Sequence, residues 1–137
     1  SATTMITKGA DIIFHASGGT GVGVIQACQE AKKYAIGVDT DQSSLAPDTV
    51  ITSAMKSVDN AVYDSVKQLV EGTLKGGEVV YDLAKCGVDI APTTNLLSKD
   101  VLKKVEEIKA KILSGEVVVP GTKDEFEKEF GDKYELD

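Results

Sequence analysis

At 137 residues the chain can bury one core of ordinary size and is too short for two comfortable domains. Hydrophobic residues at 42% and charged ones at 27% exclude a disordered polyelectrolyte, so a packed structure is expected. A formal net charge of −7 excludes nucleic acid and anionic membrane as partners, because both need clustered Lys and Arg.

Ser1 to Ala10 has no basic start, apolar middle or small-residue cleavage site, so no leader is expected within it. No stretch reaches the roughly 18 to 20 apolar residues of a membrane span. Asp11 to Ala16 reads as a short buried strand bounded by Gly18 and Gly19. A helix is expected from Gly21 to Lys33, since Val24, Ile25, Cys28 and Ala31 share one face. Tyr34 to Val38 is the next strand, closed by the turn-forming run from Asp39 to Ser44. Val50 to Ala54 is a third strand, weakened by its Thr and Ser.

A helix from Asp59 to Glu71, with Val62, Val66, Leu69 and Val70 as its stripe, is expected to stop at Gly72. Glu78 to Leu83 and Val88 to Pro92 read as two further extended segments. Lys99 to Ser114 is an amphipathic helix with Val101, Leu102, Val105, Ile108, Ile112 and Leu113 inward, ended by Gly115. From Lys123 onward the chain is charged with two spaced phenylalanines, which reads as a solvated tail or a short surface helix. Strands alternating with helices define an α/β protein with a parallel sheet.

The stretch from Phe14 to Gly23 runs a strand into a glycine-rich turn that opens a helix, a layout in which backbone N–H groups can approach a ligand. Asp39 follows at the carboxyl end of the next strand, where open α/β sheets bind ligands. This is the skeleton of a dinucleotide fingerprint, but Gly19, Gly21 and Gly23 are spaced GxGxG, and Val24 stands where the motif needs Gly or Ala. No Gly-Lys-Ser/Thr follows, which excludes a Walker phosphate loop.

A carboxylate such as Asp39 suits vicinal sugar hydroxyls, the alternative being a turn-capping acid. The Phe14 ring can stack on a flat heterocycle or belong to the core, and Lys56 can meet a ligand or stay solvated. Three successive strand ends thus present Phe14, Asp39 and Lys56 on one rim. His15, the single histidine, should point to the opposite strand face and is read as structural. Neither Cys28 nor Cys86 has an activating neighbour, and no metal set is expected.

Gly9-Ala10-Asp11-Ile12-Ile13-Phe14 leading to Gly18-Gly19-Thr20-Gly21, then Ala35-Ile36-Gly37-Val38-Asp39-Thr40-Asp41-Gln42, Thr52-Ser53-Ala54-Met55-Lys56, Gly76-Gly77-Glu78 and Ser114 to Pro120 form an ordered series. It resembles the basic membrane protein family, the purine nucleoside receptors that serve ABC transporters. The resemblance implies part of a type I periplasmic-binding-protein-like fold: the C-terminal portion over 1–122, lacking most of the N-terminal lobe, with an acidic tail over 123–137. It implies that Phe14 stacks on a purine, Asp39 holds ribose hydroxyls and Lys56 meets the ligand's polar edge, while Gly18, Gly19 and Gly37 let backbone come close.

The implied ligand is inosine, guanosine or adenosine, with no cofactor, no metal and no catalysis. The implied partner is an ABC permease, met outside the cytoplasmic membrane by a lipid-anchored full-length form. Because the resemblance would pack the helix from Asp59 to Glu71 on the other lobe, self-association through its stripe is expected. Two other readings stay open. One is a Rossmann-like oxidoreductase fragment using Asp39 on an adenosine ribose. The other is a stand-alone interaction or sensor domain whose acidic end touches a partner.

Overall fold

The computed structural model describes residues 1–131, which form two compact units, residues 1–98 and a second beginning at Lys99. The first holds a four-stranded sheet of β1 (Ile12–Phe14), β2 (Tyr34–Asp39), β3 (Val50–Lys56) and β4 (Val88–Ile90), in that spatial order. The first three strands pair in parallel and β4 joins β3 antiparallel, so the expected parallel sheet carries one reversed edge strand. Helices α1 (Ala2–Thr7), α2 (Gly21–Glu30) and α3 (Val58–Val70) belong to the same unit.

The core is built where α2 lays Ile25 and Cys28 against Ile13, Ala35 and Val50, with Ala46 closing one end and Ile6 of α1 packed on it. Burial pushes the Cys28 thiol above its ordinary pKa, which keeps it protonated and inert, while Cys86 is exposed. The sequence does not announce α1, a six-residue helix whose Ser1 hydroxyl accepts the Thr4 N–H. Helix α2 stops three residues earlier than its periodicity predicts. Lys32 adopts φ +53° and the Lys33 N–H reaches back to the Cys28 carbonyl at 2.8 Å, which turns the chain into β2.

Three expectations about strands need correction. Strand β1 is buried only at Ile13, with His15 buried just after it, since Ile12 and Phe14 face outward from an edge position. Strand β3, predicted to be weak, is the longest of the four and buries Val50, Ile51, Thr52 and Ser53 in succession. A central strand is covered on both faces, and its polar groups are paired: Ser53 Oγ accepts the Gln42 N–H at 3.1 Å, and Thr52 reaches the Ala91 carbonyl at 3.5 Å. Tertiary partners therefore override propensity there.

Glu78 to Leu83 is not a strand. The edge of β3 that it could have paired with is taken by β4, and Val79 and Val80 stay exposed. The stripe of α3 is likewise uncovered, with Val62, Val66 and Leu69 each 54–65% exposed.

In the second unit α4 (Lys99–Ser114) has the predicted bounds but buries none of its stripe completely, and Gly115 at φ +78° ends it. Helix α5 (Lys123–Phe130) is the short helix, one of the two readings of this charged segment. It starts at a reciprocal cap between Thr122 and Glu125 and pairs the Phe126 and Phe130 rings at 5.3 Å. Positions 132–137 of that expected tail lie outside the described residues.

Candidate functional site

The carboxyl ends of β1, β2 and β3 open into a cavity of about 440 Å³, with β4 along its far side. Phe14, Ala16 and Gly18 line it from the β1 end, Val38 and Asp39 from β2, Ala54, Met55 and Lys56 from β3, and Val88 and Asp89 from β4. Parallel pairing produces this convergence, since strands running the same way end on the same edge. Register Asp39↔Met55↔Asp89 then aligns three of the lining residues in one row across the sheet.

Of the six sequence-predicted residues, four meet at this cavity: Phe14, Gly18, Asp39 and Lys56. Phe14 is 58% exposed, so its ring is a rim feature and not core. Lys56 Nζ lies 2.8 Å from Asp39 Oδ1 with the two side chains 67% and 47% exposed. A surface pair of this kind contributes at most about 1 kcal/mol to folding, so its placement is not explained by stability.

Asp39 sits at φ +69°, and its turn is closed by the Thr40 N–H donating to the Val38 carbonyl at 2.8 Å. A tight turn of this kind at a non-glycine residue is strained, and such strain concentrates where chain geometry serves function.

Gly19 and Gly37 are not among the lining residues. Gly19 has nothing within 4 Å of where a side chain would begin. Gly37 is buried, and the space a side chain would need is filled by Gln42 and Ser53. Its small size makes room for Gln42 and Ser53. Gly21, which the sequence placed in the glycine-rich turn that opens α2, makes room for His15 in the same way.

His15 is 3% exposed and points away from the cavity, as the strand alternation predicts. Gln42 is the residue that sequence reasoning missed. Its Oε1 accepts the Val38 N–H at 2.9 Å and contacts His15 Nε2 at 3.1 Å. Since the Val38 N–H can only donate, the shared atom is an oxygen, so Nε2 carries the His15 proton. His15 Nδ1 is buried with no partner among the described residues. The usable signal was one long amide among short turn-formers, in the run from Asp39 to Ser44.

Next to it, Asp41 accepts from Thr93 and from Ser43, and these hydrogen bonds hold its carboxyl below the usual range. A depressed carboxyl supports the fold above its ordinary pKa and loses that contribution as pH falls through the lowered value. The two β4 residues were also missed, because a three-residue strand has no periodicity that would show which edge it joins.

Residues 1–123 match the family described as ABC transporter substrate-binding protein, PnrA-like. The chain is 37% identical to basic membrane protein A of Borreliella burgdorferi over 132 residues, covering 93% of this chain and 39% of that protein. It is 39% identical to the CD4+ T-cell-stimulating antigen of Listeria monocytogenes, covering 87% and 38%. Among solved structures, an ABC transporter system solute-binding protein from Aeropyrum pernix superimposes with a TM-score of 0.78 at 28% identity, over 96% of this chain and 46% of that one. The chain thus spans about two fifths of the length of the curated relatives it matches.

Proposed function

Because the chain belongs to the PnrA-like family of ABC transporter substrate-binding proteins, we propose that the cavity at the ends of β1, β2 and β3 is one wall of a purine nucleoside site that captures its ligand without catalysis. The observation that carries this reading is the Asp39–Lys56 pair at 2.8 Å on the cavity rim, beside the outward ring of Phe14. A carboxylate offers two acceptor oxygens to vicinal ribose hydroxyls, an ammonium donates to a heterocycle or sugar oxygen, and an exposed ring supplies a stacking face. The ion pair contributes so little to folding that exchanging part of it for ligand costs little.

In this reading inosine, guanosine or adenosine is the ligand, and an ABC permease receives it outside the cytoplasmic membrane from a lipid-anchored full-length form. Gly18, at φ +51° on the cavity wall, lets the backbone come close to the ligand.

Thermal melting of the chain against inosine, guanosine, adenosine, cytidine, ribose and NAD tests the reading, because a ligand that binds only the folded state raises the midpoint by mass action. A rise with millimolar purine nucleosides alone is expected. Asp39→Asn keeps a residue tolerant of positive φ and should weaken binding by about 1–3 kcal/mol. No rise with any nucleoside, a rise with NAD alone, or unchanged affinity in Asp39→Asn would overturn the assignment.

The same reading extends to assembly: the exposed stripe of α3 is the face on which a second copy of this chain would pack. Light scattering at micromolar concentration should return the mass of two chains, and a one-chain mass removes the idea.

A further inference from the structure

We propose that Gln42 is the positioning residue of this site, holding Asp39 in register with Phe14 and Lys56; its link to ligand rests on the nucleoside reading above. One side chain and its own backbone tie together three strands close to the site. Gln42 Oε1 accepts the N–H of Val38, the residue before Asp39, at 2.9 Å. The same atom takes the Nε2 proton of His15, the residue after Phe14, at 3.1 Å. The Gln42 N–H donates to Ser53 Oγ on β3 at 3.1 Å, three residues before Lys56.

Each tie therefore lies within three residues of a group on the cavity rim. Asp39 needs such support: its left-handed backbone is closed by a single hydrogen bond from Thr40 to Val38, and the Val38 N–H is what Gln42 pins. The sequence sets aside two glycines for this purpose. Gly37 leaves the volume that Gln42 and Ser53 fill, and Gly21 leaves the volume that the His15 ring fills.

None of the three network side chains lines the cavity, so the network acts through Asp39 and does not itself touch ligand. The Ser53 end is fully buried and His15 nearly so, which makes the frame stiff at both ends. Ligand affinity is then set partly behind the site, by how well the carboxylate is held where two hydroxyls can reach it.

The test is amide hydrogen exchange on the folded chain, combined with inosine and guanosine titration. Gln42→Met keeps the length of the side chain and removes the acceptor. It should lower protection of the Val38 and Thr40 amides by about tenfold or more, and nucleoside affinity by a similar factor. Gln42→Glu retains an acceptor oxygen for both donors and should restore both readouts, a rescue that simple loss of packing would not show.

If Gln42→Met does not fold, Ser53→Ala cuts the tie on β3. It should lower protection of the Gln42 and Val38 amides and weaken the same nucleosides several-fold. Unchanged Val38 and Thr40 protection in a folded Gln42→Met chain, or unchanged nucleoside affinity, overturns the proposal. So does a Gln42→Glu chain as weak as Gln42→Met. A wild-type chain that binds no nucleoside while its amides respond as expected overturns the nucleoside reading and supports the placement of Asp39 by Gln42.

Discussion

Gly37→Val is expected to cost about 2–6 kcal/mol of folding stability, combining overpacking with the loss of buried hydrogen bonds. Gly37 is buried in the middle of β2, and a Cβ built there overlaps Ser53 Oγ and the Gln42 side chain. Neither neighbour can give way cheaply. Ser53 is fully buried on the central strand, and moving Gln42 leaves the Val38 N–H and the His15 proton without their acceptor. Urea unfolding should show a lower midpoint with an unchanged slope, since the loss is of packing and not of overall compactness. Gly19→Ala is the control: it has open space around it, and it should stay within about 0.5 kcal/mol of the wild type. Equal midpoints for the two variants would show that Gly37 is not a packing position.

The second large effect concerns Gly21, because there two forces oppose each other and their magnitudes decide the sign. Replacing glycine by alanine inside a helix normally gains about 1 kcal/mol from backbone entropy and propensity. At Gly21 the added methyl would fall on the imidazole of His15, whose three nearest ring atoms all overlap it. His15 is 3% exposed and held by Gln42, so it has nowhere to turn, and overpacking of about 1–3 kcal/mol outweighs the propensity gain. Gly21→Ala should therefore destabilise. Gly23→Ala, two residues on in the same helix with nothing within 4 Å, should stabilise by about 0.5–1 kcal/mol. Melting both variants side by side checks the argument, and two stabilised proteins would refute it. The pair also bears on the site, since displacing His15 loosens the same Gln42 that pins Val38.

Much of the candidate site's placement was legible in the sequence. Apolar runs ending in Phe14, Asp39 and Lys56 lie at the ends of parallel strands, and parallel strands must finish on one edge, so these residues were bound to converge. Helix α4 was equally clear, because sixteen residues of 3.6-residue periodicity closed by a glycine leave little ambiguity. Short elements were uneven: both three-residue strands fall within segments read as extended, but the direction of β4 was not readable, a six-residue helix carries too little period to register, and Glu78 to Leu83 has strand composition without a strand to pair with.

The glycines mark the division most sharply. The sequence by itself determined that this chain makes an α/β sheet with a glycine-rich turn, an acid and a lysine at its carboxyl edge, because alternation, periodicity and strand direction are local or follow from local rules. It also carried the ordered motifs that place the chain in its family. Only the tertiary structure decided which glycines face open space and which make room for neighbours, that a glutamine in a turn ties together three strands, and that β4 runs antiparallel. Those outcomes depend on atoms distant in sequence meeting at van der Waals and hydrogen-bond distance, as His15 and Gln42 do across 27 positions, and no local pattern encodes such a meeting.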